Sequence, residues 1–525
     1  MTEPIDDILI VGAGPAGTSA ALALVERGAR IRIVDAGAFV RPATPSAGEF
    51  LQLRFNDPDQ SRWQIGDGDI FRQSLQASPK MRVPAYRQLF KGYSQANCIH
   101  AHDFQLVGAM APGGLSNAWG CSVARFRGEE LGALRVEESD METSYARVAG
   151  RMGLSGSSDD PLRSALGVDD WCAAGVPLDG VHERLWRRRA AAAHHIQMGR
   201  ARGAVLTEPQ GQRLPCDRSG TCLWGCHRGA MWSAYDDAES LSRASRVQFD
   251  AGVRVESIRA NQDGTWTVSS LNGAKQARAY ISKRVLLCAG TVVTTRLVLG
   301  ALNPSPPIIR LQSNPIAAFM LLVPRAIGSP REQSFGLAQL SFLIQGSKDG
   351  ENAFGSLYAT GGLPVSEFLT HVPLRRRAAL PMLRSLLPAM SVGNVFMPGR
   401  FSNHTARLDS DGGLEIRGGD DSALTEALSV VRDHIKSGFR RMGAYIIPGS
   451  FVRGVKGGDF HYACTLPISL AAKAHECRLS GEVAGLPGVY ALDGSSLPLL
   501  PAKAHTLTIM ANADRIARRL PLEHS

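Results

Sequence analysis

The first unbroken apolar run, Ile8 to Val11, is β-branched and follows a short polar stretch. A run of this kind bounded by turn residues predicts a strand buried on both faces. Gly12-Ala-Gly14-Pro-Ala16-Gly17 comes directly after it. The segment TSAALALVERG then places Ala and Leu at spacings of three and four, which predicts a helix that Gly28 ends. IRIVD supplies a second strand ending at Asp35, so the first 35 residues read as a βαβ unit.

Further along, 40–105 is polar with weak periodicity and predicts loops and short helices outside the main sheet. Residues 111–121 form a second glycine turn. Helical spacing covers 129–152 and about 180–200. Alternation returns over 246–290 and closes on the apolar strand Val285 to Cys288, after which a helix resumes. Alternating segments at 315–360, 391–397 and 404–417, with glycines between them, predict a separate antiparallel sheet. A helix follows over 420–442, and a tail of turns and one last helix ends the chain.

Composition narrows the class. With 525 residues the chain has room for two or more domains and needs no disulfide or metal staple. The 55 glycines lack a Gly-X-Y period, so collagen is excluded and tight turns near a ligand are favoured. The formal net charge of +10 suits anionic partners, but no nucleic-acid motif accompanies it, so none is expected. Nine scattered Cys do not form a secreted disulfide framework. Acids precede the first apolar run, against a signal peptide, and no run reaches the ~18 apolar residues of a membrane span. These features lead to the expectation of a cytoplasmic protein.

Three motifs carry the chemistry. Gly12-x-Gly14-x-x-Gly17, with Ala16 in the same turn, follows a strand and opens a helix. The first glycine allows the turn, the second lets backbone approach a pyrophosphate, and the third packs helix on strand. Asp35, at the end of the second strand, suits a ribose hydroxyl. This motif alone does not separate FAD from NAD. Ala289-Gly290 ends a late strand and precedes a helix, a kind of element that closes back on the flavin site in flavoproteins. Asp493 stands at another strand end, before a helix beginning near Thr506. An acid so placed orients ribityl or phosphate groups.

Taken in order, these pieces resemble the glucose–methanol–choline family of FAD oxidoreductases. The matching segments are GAGPAG with IVDAG, PGGLSNAWG at 112–120, GTCLWGCHRGAMWSA at 220–234, VLLCAGTVVTTRLVL, HYACTLP at 461–467, and YALDGSSLP with AHTLTIMANA near the end. They span most of the chain, while the middle sheet matches in pattern only. The resemblance implies an α/β fold, with a Rossmann-like FAD-binding domain and an interleaved substrate domain on an antiparallel sheet. The expected FAD domain is 1–50, 105–128, 205–305 and 456–525; the substrate domain and lids take 51–104, 129–204 and 306–455. The resemblance also implies oxidation of a small-molecule alcohol by hydride transfer to flavin, with O2 or an unknown carrier as the electron acceptor.

The resemblance makes His461 the general base, with His505 holding the alkoxide or sharing that role. An imidazole with an ordinary pKa near ~6.5 suits base catalysis close to neutral pH. FAD is expected to contact Gly12, Gly14, Ala16, Gly17, Asp35, Gly114, Asn117, Val255, Ala289, Gly290, Asp493 and Thr506. Two departures stand out. The family carries a Gly-Thr-Cys type sequence after its first active-site His, where this chain has His461-Tyr-Ala-Cys464-Thr-Leu-Pro467, and Ala504 lies where some members carry Asn, leaving His505 three residues before Thr508. No flavin-linking His is evident, so FAD is expected to be noncovalent. Cys216, Cys222, Cys226 and His227 lack paired zinc spacing and read as a tight loop, with no metal expected. The basic, Leu-rich segment 373–390 reads as short surface helices broken at Pro381 and Pro388, with contact to an anionic membrane the weaker reading. Two rivals to alcohol oxidation stay open: isomerase, desaturase or lyase chemistry on the same frame, and a non-catalytic flavin-binding subunit. The substrate and the oligomeric state stay open as well.

Overall fold

The computed structural model describes residues 5–41, 44–45, 48, 78–304, 308–346, 352–363, 368, 374–420 and 422–522. Most of the polar segment 40–105 before residue 78 therefore lies outside the described residues. The βαβ unit forms as read, with strand β1 (Asp6–Val11), helix α1 (Pro15–Glu26) and strand β2 (Ile31–Asp35). β1 lies between β2 and the long strand β3 (Ala277–Leu287), parallel to both. Leu9, Ile10 and Leu286 are fully buried, as continuous apolar strands in a two-sided parallel sheet should be.

Val247–Ala251 extends this sheet beyond β2. On the other side, the first half of β3 pairs antiparallel with Trp266–Asn272, which pairs in turn with Val253–Ala260. The second half of β3 pairs in parallel with the late strand Val489–Ala491. Helix α2 (Thr291–Ala301) follows β3, and helix α3 (Thr506–Arg519) near the C-terminus packs on α1. Glu138–Met152 packs on α3 as well.

The second sheet is antiparallel, in the order Tyr445–Ile446, Ile316–Leu322, Met390–Phe396, Ala353–Ala359, Ala338–Ile344, Gln197–Arg200. Helix Ser422–Met442 packs Phe439 between Phe319 and Phe342, with ring centroids 6.1 and 5.6 Å away. Gly393 makes room for this layer, because a Cβ there would sit 2.3 Å from the Phe319 ring.

The structure corrects several sequence expectations. The 404–417 segments do not join the second sheet. His404–Leu408 and Leu414–Arg417 belong to a third sheet with Ile99–His102, Ile309–Ser313 and Tyr462–Ala463, paired across long sequence separations. The 180–200 helix stops at Arg187, and Gln197–Arg200 becomes an edge strand on Ala338–Ile344. The 129–152 helix divides at Arg135, whose φ of 55° no helix accommodates. In the basic segment, helix Arg376–Leu386 runs through Pro381 and ends before Pro388. Its Leu383 and the adjoining Leu387 pack with Met320, Leu322 and Val392 of the second sheet.

Candidate active site

Two glycines of the first turn are packing positions. Gly12 has φ +97°, and a Cβ there would lie 2.4 Å from the Cys288 carbonyl oxygen; a Cβ on Gly17 would lie 1.9 Å from the Gly12 oxygen. Gly14 differs, since the nearest atom to a Cβ there is the Gly114 Cα at 4.0 Å. The two glycine turns thus face each other, joined by the Gly113 amide donating to the Ala13 carbonyl at 2.8 Å. Gly290 has nothing within 4 Å of its Cβ position, and Ala289 beside it lies against Gly12. Backbone from three distant segments therefore lines an open space at the N-terminus of α1. Both the exposed amides and the helix end favour a phosphate there.

The other expected cofactor residues are held in different ways. The Asp35 carboxylate accepts from the Ala13 amide at 2.7 Å and the Gly37 amide at 2.9 Å, so it pins the glycine turn to the end of β2. Burial raises its pKa, opposed by those two bonds. Ala16 and Val255 are core residues, so only their backbones are available to a ligand. Near Val255, the Gly252 amide bonds to the Gly37 carbonyl at 2.9 Å, which brings that strand's start to the end of β2. Asn117 braces the second turn, donating to the Pro112 and Gly114 carbonyls and accepting from Ser233 Oγ at 2.9 Å. Asp493 accepts from Thr294 Oγ1 at 2.5 Å and from the Ser495 amide and hydroxyl, tying the late strand to α2. Thr506 is the first residue of α3.

His461 and His505 come together. Their ring centroids are 4.9 Å apart and the planes stand at 89°, with Phe396 5.1 Å from His461 on another side. His461 lies between two left-handed residues, Phe460 (φ 68°) and Cys464 (φ 67°). Cys464 therefore holds a conformation that favours glycine. Tyr462 anchors the segment, its hydroxyl donating to the Gly457 carbonyl at 2.7 Å and its own carbonyl accepting from Thr291 Oγ1 at 2.6 Å. His505 is buried at the N-cap of α3.

Among the described residues neither imidazole makes a side-chain hydrogen bond, and both Nδ1 atoms are buried. Burial, and then the nearby charge of Lys80, push the His461 pKa down to about 4. Burial and the neighbouring His461 push His505 well below its usual value. The α3 N-terminus acts in the same direction. Behind His461, the buried carboxyl of Asp459 accepts from the His461 and Asn314 amides at 2.9 and 3.1 Å, and burial raises its pKa to about 7. The arrangement holds two neutral imidazoles side by side at ordinary pH.

Sequence reasoning missed Lys80 and Asp459. Asp459 had a weak signal, an acid two residues before a histidine of interest. Lys80 had none, as it lies in an aperiodic stretch. In the cysteine loop, the Cys216 thiol accepts from the Arg218 amide and His227 Nε2 meets Asp217 at 2.9 Å. Among the described residues no helix is long and apolar enough to cross a membrane.

Residues 7–149 match a family model described as an FAD binding domain. No curated protein sequence matches the chain. Among solved structures, pyridoxine 4-oxidase from Mesorbium loti is similar at 15% identity and TM-score 0.59, covering 98% of this chain and 99% of its own. An Aspergillus oryzae RIB40 formate oxidase, from a structure on the effect of a mutation on FAD modification, is similar at 13% identity and TM-score 0.62, with 98% of each chain covered. With the glycine cradle, the parallel sheet and the antiparallel second sheet in one chain, the protein has the fold of the glucose–methanol–choline oxidoreductases.

Proposed function

We propose that the protein is an FAD-dependent oxidoreductase that converts the CH–OH group of a small-molecule alcohol to a carbonyl. The observation carrying this reading is the unbonded imidazole pair, whose segment Tyr462 ties to Thr291, the residue after Gly290 of the backbone-lined cradle. The cradle fits the cofactor, since Gly14, Gly114 and Gly290 leave space while Gly12 and Gly17 are packed shut. Gly14 and the first turn of α1 would hold the pyrophosphate, and Asp35 keeps lone pairs for a ribose hydroxyl. Bound FAD supplies the acceptor for the carbinol hydride. FAD is held noncovalently, and the electrons pass on to O2 or another carrier.

His461 takes the hydroxyl proton at an imidazole nitrogen. Its lowered pKa keeps the ring neutral, the form a base requires, from about pH 5 upward. His505 donates to or orients the developing alkoxide, and Phe396 closes one side against water. Names of the similar structures agree with oxidation chemistry on this fold, one of them acting on pyridoxine. Anaerobic mixing of the yellow protein with a panel of alcohols tests the reading. Stoichiometric bleaching supports it, and no bleaching with any member counts against it.

A further inference from the structure

Lys80 lies on the short turn Pro79–Arg82, and its ammonium donates to the Ala118 carbonyl at 2.6 Å. Ala118 ends the Gly114–Ala118 turn whose first residue faces Gly14. Immediately after Lys80, Val83, Tyr86 and Leu89 cluster with Ala118, and the Phe90 ring packs 6.2 Å from that of Phe460, the residue before His461. This segment therefore runs from the second glycine turn to the imidazole pair, and the Lys80 charge acts on His461.

An ammonium carries three donors, and the Ala118 carbonyl uses one. Among the described residues no carboxylate reaches ion-pair distance of Lys80. Among the described residues, the ionisable groups that act on it or feel its charge are the thiols of Cys121 and Cys222 and the His461 ring. Burial holds both thiols in their neutral form, and His461 is neutral as well. Lys80 is half-buried, and with donors to spare and no carboxylate partner among the described residues its ammonium attracts an anion that enters the site. The net charge of +10 favours the approach of such a ligand.

We propose that Lys80 forms an oxyanion-holding subsite of the candidate active site, so that the alcohol oxidised also carries a carboxylate or phosphate group. The word alcohol rests on the function proposed above; the subsite itself does not. The Ala118 carbonyl orients the ammonium, and the remaining N–H donors point a bound oxyanion beside the imidazole pair.

The test uses the FAD-loaded protein at pH 7 and constant ionic strength, titrated with acetate, inorganic phosphate and the neutral acetamide while flavin absorbance is followed. A saturable spectral change with acetate or phosphate, and none with acetamide, is expected; the anion that binds identifies the group. Lys80→Met should weaken that binding by about tenfold or more, the size of a lost charge-assisted bond, and Lys80→Arg should keep it. Both variants should retain the flavin spectrum, which separates loss of the subsite from misfolding. No spectral change with either anion, an equal response to acetamide, or unaltered binding in Lys80→Met would overturn the subsite. Anaerobic reduction keeps the two proposals apart. Anion binding without reduction by any hydroxy acid or phosphorylated alcohol contradicts the oxidation reading alone. Reduction by neutral alcohols without anion binding contradicts the subsite alone.

Discussion

At His461, the lowered pKa changes what a pH profile should show. An ordinary imidazole base would give an ascending limb near ~6.5. Burial and Lys80 favour the neutral ring, so the limb should fall at about pH 4. Lys80→Met removes one of those causes and should shift the limb upward, measured as kcat/KM against pH. Gly14→Val provides a second residue-scale prediction. Its side chain enters open space rather than packed backbone, so the variant should fold and fail to bind FAD. Gly17→Ala should instead reduce stability, because its Cβ would collide with the Gly12 carbonyl. Circular dichroism and flavin absorbance distinguish the two. The glycine pattern was legible in the sequence because its meaning is local, a strand, a turn and a helix in succession. Lys80 was not, because what makes it notable is a carbonyl distant in sequence and, among the described residues, the lack of a nearby acid.

Among the elements, the Phe460–Cys464 segment shows how a departure from the family pattern is accommodated. A non-glycine residue in the left-handed region costs about 1–2 kcal/mol. Cys464→Gly removes that cost and also loses a buried thiol, so its unfolding free energy should change by less than about 1 kcal/mol. Cys464→Val places a β-branched side chain at φ 67° and should lose about 2 kcal/mol or more in denaturant melts. The backbone at 464 keeps a conformation that glycine adopts readily. Secondary structure was legible where periodicity ran long, as in α1 and Ser422–Met442. It was not legible in Gln197–Arg200, four residues made a strand by the neighbouring Ala338–Ile344 edge. Nor was the third sheet, whose partners at 99–102 and 414–417 pair in parallel although they lie far apart in sequence.

Across the whole molecule, the glycine cradle and the imidazole pair are assembled from segments far apart in the chain. β1 and α1 supply one wall, the 112–120 turn another, and the 459–465 and 503–508 segments the imidazole pair. Acid precipitation should leave the yellow colour in the supernatant, as noncovalent FAD requires. Elemental analysis should find no stoichiometric zinc or iron, since the Cys216–His227 loop lacks paired ligand spacing. The most direct test of the central claim is the rate of anaerobic flavin reduction by an alcohol substrate in wild type and in His461→Ala. The account predicts that the variant keeps FAD and is reduced about 10²–10⁴-fold more slowly, the usual contribution of a general base. Near-normal reduction in His461→Ala would contradict it.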